Sequence, residues 1–136
     1  MAKAARALSR RDLSECELSE RLERARVPPA ARAETVERLA HAGAVDDERF
    51  ARGRAELLAE RDAGDLLIRH DLAGRGIAEE LVDSSVAGLD PEPERAAKLV
   101  QARGTGLKTA RYLMRKGFSE ESIEMAVAED APPAVR

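Results

Sequence analysis

At 136 residues the chain is one domain's worth of sequence, and 43% hydrophobic residues suffice for a core without disulfide or metal support. Charged residues make up 36% and aromatics only 2% (Tyr112, Phe50 and Phe118), which argues against a sandwich or barrel built on aromatic cross-strand pairs. No apolar run approaches the roughly 20 residues that span a bilayer, and the first residues lack the apolar segment of a signal peptide, so a soluble, cytoplasmic protein is expected.

The residues that catalysis would need are missing from the pattern. Cys16 is alone, His41 and His70 lie far apart, and no HExxH, GxSxG, GxxxxGK[ST] or GxGxxG occurs. The expectation is no enzyme, no catalytic residues, no metal and no cofactor.

Apolar residues recur at spacings of three and four, and the breaks fall at Gly and Pro, so the fold class expected is all-α. In chain order, Lys3 to Arg11 reads as a short helix. Ser14 with Glu17 forms a capping box that opens a second, burying Leu18 and Leu22 and stopped by Pro28 and Pro29. A third carries Val36 and Leu39 and ends at Gly43. Asp46 and Asp47 supply N-cap chemistry for a longer helix to about Asp62, with Phe50, Leu57 and Leu58 buried. After Gly64, helices are predicted from Asp65 to about Gly74, Ala78 to Gly88, Glu92 to Arg103, Leu107 to Lys116 and Ser119 to Glu129, about nine in all.

Internal similarity organises them. Leu22, Leu72 and Leu113 are each followed five residues later by Val27, Ile77 and Phe118, and nine further on by Val36, Val86 and Val127. Three tandem three-helix repeats follow, over residues 1–45, 46–90 and 91–130, with a tail at 131–136. The shared turn contains Gly76 and Gly117, which suit a left-handed position just past a helix end.

Charge is segregated. The net charge is −3, yet Arg95 to Phe118 carries seven basic residues and no acid, between two stretches that carry acids and no base. Lys108, Arg111 and Arg115 fall on one helical face beside Tyr112, while Ala110, Leu113 and Met114 fall on an apolar face. The other two repeats lack this stripe. It reads either as a solvated face paired to the neighbouring acidic helices or as a surface kept for an anionic partner.

Asp46-Asp47-Glu48-Arg49-Phe50-Ala51, the run Gly64, Ile68, Leu72, Gly76 and Ile77, and its echo at Leu113, Gly117 and Phe118 together resemble the RecX regulatory family. The resemblance covers nearly the whole chain and implies an elongated, curved stack of three repeats. It also implies a non-enzymatic modulator that binds the RecA filament on single-stranded DNA, inhibits its ATPase and recombinase activities, and acts in DNA repair, recombination and the SOS response. A monomer with weak direct DNA binding is expected. Candidate contacts are Lys108, Arg111, Tyr112, Arg115, Lys116 and Arg103, with Arg69 and Arg75 on the middle repeat. Asp46, Asp47 and Arg49 also read as a helix cap with a surface ion pair. A stand-alone nucleic-acid-binding protein and a helical adaptor remain as alternatives.

Overall fold

A computed structural model describes residues 12–130, and among them are eight helices and no strand. They are α1 (Glu15–Arg24), α2 (Pro29–His41), α3 (Asp47–Glu60), α4 (Asp65–Gly74), α5 (Glu79–Ala87), α6 (Glu92–Arg103), α7 (Leu107–Arg115) and α8 (Glu120–Asp130). The helix expected from Lys3 to Arg11 lies outside the described residues.

Local chemistry sets the helix ends. The Ser14 hydroxyl accepts the Glu17 amide while the Glu17 carboxylate accepts the Ser14 amide, which completes the capping box of α1. Pro29 both ends the preceding segment and begins α2, where a missing N–H costs nothing. Asp46 caps α3 by accepting the Arg49 amide. Five helices then end in the same left-handed turn, at Arg26, Gly43, Asp62, Gly76 and Gly117, with φ between 65° and 88°. In each the next amide reaches back to a helical carbonyl, as from Val27 to Leu22, Ile77 to Leu72 and Phe118 to Leu113 at 3.0–3.1 Å.

Three apolar clusters follow along the chain. The first holds Leu13, Leu18, Leu22, Leu39 and Val45 from α1 and α2 and their flanks. The second centres on Phe50, Ile68, Leu72, Ile77 and Val82 from α3 to α5, and the third on Val100, Leu113, Phe118, Ile123 and Ala126 from α6 to α8. Leu22, Leu72, Leu113, Ile77 and Phe118 are buried and Val27 is half-buried, so the repeated template is the core of each helix group.

One expected core position, Leu57, is not core, and one residue of the apolar face expected on α7, Met114, is exposed. The buried stripe of α3 runs through Ala51 and Ala55 with Leu58 half-buried, and Leu57 sits about 100° round the helix from Leu58, facing water. Met114 is likewise one residue past the buried Leu113 and is 63% exposed. In its place Thr109, at the position of Leu18 and Ile68, faces inward.

The groups are joined by a contact made twice. The Glu15 amide, at the start of α1, donates to Asp47 Oδ1 at the start of α3 (2.8 Å), and the Asp65 amide, at the start of α4, donates to Glu92 Oε2 at the start of α6 (2.6 Å). Beside each, the N-cap residue bonds the carbonyl that closes the middle helix of the next group. Ser14 Oγ donates to the Arg75 carbonyl (2.8 Å) and the Gly64 amide to that of Lys116 (2.7 Å).

Candidate partner-binding surface

The chemistry of α7 begins with its amphipathic spacing. Thr109 and Leu113 turn into the third cluster, whereas Leu107, Lys108, Arg111, Met114 and Arg115 face water. Among the described residues none of Lys108, Arg111 and Arg115 forms an ion pair, and the acidic helices beside α7 do not neutralise it. Three cations therefore stand on one face with their charge available.

The remaining basic residues of this segment are occupied. Arg95 pairs with Asp65, donates to the carbonyls of Ala63 and Asp90 (2.9 Å each), and lies over the Phe118 ring, so it pins α6 to the start of α4. Lys98 pairs with Asp90 at 3.6 Å. The Arg103 guanidinium stacks 3.6 Å above the Tyr112 ring. The Tyr112 hydroxyl in turn donates to Asp62 Oδ2 at 2.7 Å, and that bond to a carboxylate holds the phenol above its usual pKa range. Tyr112 thus bridges the second and third groups, and the exposed residue Arg103 covers its ring. Lys116 is half-buried, and its carbonyl is the acceptor for Gly64.

On the middle group the two candidates differ. Arg69 is exposed and pairs with Asp83 at 2.5 Å. Arg75 is drawn into the first junction, donating to Asp71 (2.9 Å) and to Glu17 of α1 (2.7 Å), while Arg54 holds the same Asp71 through two nitrogens at 3.0 Å. The structure therefore gathers Arg103, Lys108, Arg111, Tyr112 and Arg115 on and beside α7, and leaves Arg69 and Arg75 on the middle group in pairs of their own.

Asp46 and Asp47 take structural places. Asp46 caps α3 and Asp47 caps α1 across the junction. Arg49 donates to the carbonyls of Gly43 and Ala44 and approaches Asp12 at 3.8 Å. Glu92, the counterpart of Asp47, carries no signal in the sequence beyond opening a helix. It is buried, and its two oxygens accept the amides of Asp65 and Ser119. Burial, the largest influence, disfavours its charge, but those amides together with the Ser119 and Ser122 hydroxyls hold its pKa below the usual carboxylate range.

Among the described residues no group of three His, Cys, Asp or Glu is placed to hold a metal ion, and no helix is long and apolar enough to cross a membrane. Residues 46–85 match the family model described as RecX, second three-helix domain. The protein named regulatory protein RecX in Xanthomonas campestris pv. campestris (strain B100) is 32% identical, over 90% of this chain and 82% of that protein. Its counterpart in Deinococcus radiodurans is 31% identical, over 96% of this chain and 68% of that protein. The crystal structure of RecX from Lactobacillus salivarius superposes with a TM-score of 0.81 at 18% identity, covering 94% of this chain and 92% of that one, a likeness of fold. With the repeated helical groups, the doubled junction and these relatives in hand, the chain belongs to the RecX family of regulatory proteins.

Proposed function

We propose that this protein is a non-enzymatic regulator that binds the RecA filament on single-stranded DNA and inhibits its ATPase and recombinase activity, in the cytoplasm and as a monomer. It would serve DNA repair, recombination and the SOS response. The observation that carries the reading is the α7 face, where Lys108, Arg111 and Arg115 are exposed together and unneutralised among the described residues of a chain whose net charge is −3. A concentrated positive face on an acidic protein suits a specific anionic surface better than bare nucleic acid. Three repeats, assigned to residues 1–45, 46–90 and 91–130, offer a surface long enough to touch neighbouring subunits of a filament, where one repeat is not. On this reading Arg103 and Tyr112 support the stripe from beside it, and Arg69, Arg75 and Lys116 contribute at its margins.

The test is a RecA ATPase assay on single-stranded DNA across salt concentrations, with the parent chain and the Lys108→Glu/Arg115→Glu variant. Charge reversal at exposed positions leaves melting within about 0.5 kcal/mol of the parent, weakens inhibition, and flattens its salt dependence. A variant that folds and inhibits as well as the parent removes α7 from the contact. Equal parental affinity for filament and naked DNA favours a plain nucleic-acid-binding protein instead.

A further inference from the structure

The two internal junctions show what the leading edge of a group's middle helix accepts. At α1 and at α4, the first helical amide takes a carboxylate from the next group, and the N-cap residue takes the carbonyl of a closing turn. The third such edge, at the start of α7, is Thr105 and Gly106, which precede Leu113 by the same eight and seven residues as Ser14 and Glu15 precede Leu22 and as Gly64 and Asp65 precede Leu72. Both are exposed, and no carboxylate or carbonyl of the described residues caps them. The first turn of α7 has no acid of its own and carries Lys108, whereas α1 has Glu15 and Glu17 there and α4 has Asp65. An N-terminal helix end with an added cation calls for an anion from outside.

Beside this edge runs a groove between α7 and α8 whose lining includes Leu107, Ala110, Ile123 and Val127. In the second group the same place is bridged by Arg69 and Asp83. In the third, Ala110 stands for Arg69 and Glu124 for Asp83, so no such bridge spans the groove, and among the described residues its apolar floor is uncovered, with Glu124 in its lining and Leu107 66% exposed at its mouth.

We propose that the Thr105–Gly106 edge and the adjoining α7/α8 groove dock a helix end of another protein, which seats there as a further repeat would. A carboxylate of that helix end takes the Gly106 amide, as Asp47 and Glu92 take those of Glu15 and Asp65 inside the chain, and an apolar side chain enters the groove. The proposal rests on the filament reading and assigns this edge to the filament's protein, because a phosphodiester backbone gains nothing from an apolar floor. A second copy of this chain does not fit. Both docked turns carry glycine, at which an added Cβ would lie 2.3 Å from Cys16 Cβ (Gly76) or 2.6 Å from the Leu67 nitrogen (Gly117). The equivalent turn at the free end of α1 carries Arg26 at φ 65°.

The test uses two full-length variants, Leu107→Asp, which gives the helix its own acid and repels an incoming one, and the uncharged Ala110→Leu, which fills the groove. Their affinities are measured for RecA filaments assembled on an oligonucleotide and for the same oligonucleotide naked. Both variants keep the parent's circular dichroism and melting, lose tenfold or more in filament affinity, and stay within twofold of the parent on naked DNA. Variants that bind filaments as tightly as the parent overturn the proposal while the filament reading stands. Equal losses on filament and DNA overturn it in favour of a nucleic-acid edge, and a parent that does not distinguish filament from DNA overturns the reading itself. In a third full-length variant, Val135→Asp, filament affinity is unchanged. A rise in affinity there would make the chain's own tail the occupant and overturn the proposal.

Discussion

Among the described residues every hydrogen bond across the junction between the first and second helix groups involves a side chain, while the junction between the second and third adds direct backbone bonds to its side-chain contacts. At the first, Arg75 is shared between Glu17 and Asp71, Asp71 is also gripped by Arg54, and Ser14 bonds the Arg75 carbonyl through its hydroxyl. At the second, the Gly64 and Leu66 amides donate directly to the carbonyls of Lys116 and Gly117, and one buried carboxylate, Glu92, joins the starts of α4 and α8. The same slot is thus filled by two chemistries. The first junction responds to pH and salt through several groups, while the second, which also holds the Arg95–Asp65 pair and the Tyr112–Asp62 bond, adds backbone bonds that depend on close approach.

Leu72→Ala bears on both junctions, because its helix starts at the second junction and its closing turn forms the first. It costs about 2–5 kcal/mol, as a fully buried leucine truncated in a packed core. An unchanged denaturation midpoint would show that the groups do not depend on this core.

Glu92→Ala comes next, at about 1.5–3 kcal/mol, because it strips a charged acceptor from two amides. Asp47→Ala, which removes one such bond at a half-buried site, costs less. Chemical denaturation of the pair measures the difference, and equal losses would erase the contrast between the junctions.

Acid acts on both junctions. The Arg54 hydrogen bonds, opposed by burial and aided by Arg75, hold Asp71 below the usual carboxylate range, and Glu92 is held low against burial by its amide and hydroxyl donors. Each is more acidic folded than unfolded, so each adds stability that is complete above its unfolded pKa of about 4 and is lost as pH falls through its folded value. Asp65 runs the other way. Burial raises its pKa against the pull of Arg95, so its share is favourable below the unfolded pKa and is lost as pH rises through the folded value. Glu15 at the first junction runs the same way as Asp65, raised by burial and by the nearby charges of Asp47 and Asp46, so each junction is partly compensated. Stability measured from pH 6 to pH 2 falls; Asp71→Asn flattens that fall and Asp65→Asn steepens it.

Gly117→Ala and Gly76→Ala each pay for a left-handed backbone, about 1–2 kcal/mol, and then meet a neighbour. At Gly117 that neighbour is the Leu67 amide nitrogen and Cβ, and at Gly76 it is Cys16 Cβ, which the backbone holds in place, so both substitutions lower the melting temperature. Tyr112→Phe is the smallest, about 0.5–1.5 kcal/mol, because Asp62 is half-buried and water can replace the hydroxyl. If it weakened filament binding without lowering the melting temperature, Tyr112 would be a partner contact and not a strut.

Most of the fold was legible because it is local. Spacing of three and four located every described helix, the capping box at Ser14 was readable, and Gly76 and Gly117 marked their turns. Arg26 and Asp62 adopt the same turn without a glycine to announce it. Leu57 misled because hydrophobicity alone does not show which side of a stripe is covered. The stripe on α7 was legible from spacing, but the engagement of Arg75, Arg95 and Tyr112 was not, since their partners include residues 30 to 58 positions away. Asp47 and Glu92 are not legible as a pair because they precede Leu72 and Leu113 by 25 and 21 residues, so no fixed offset links them.

The doubled junction also sets an order of assembly during synthesis. Each apolar cluster is drawn from neighbouring helices, so each can collapse quickly as its residues leave the ribosome. The start of α1 nevertheless waits for Asp47 to take the Glu15 amide and for the Arg75 carbonyl to take the Ser14 hydroxyl. The start of α4 waits in turn for Glu92 and Lys116. Each group is therefore born with its leading edge open and is closed by the one that follows, which leaves the last edge to be made at Gly106 without a successor among the described residues.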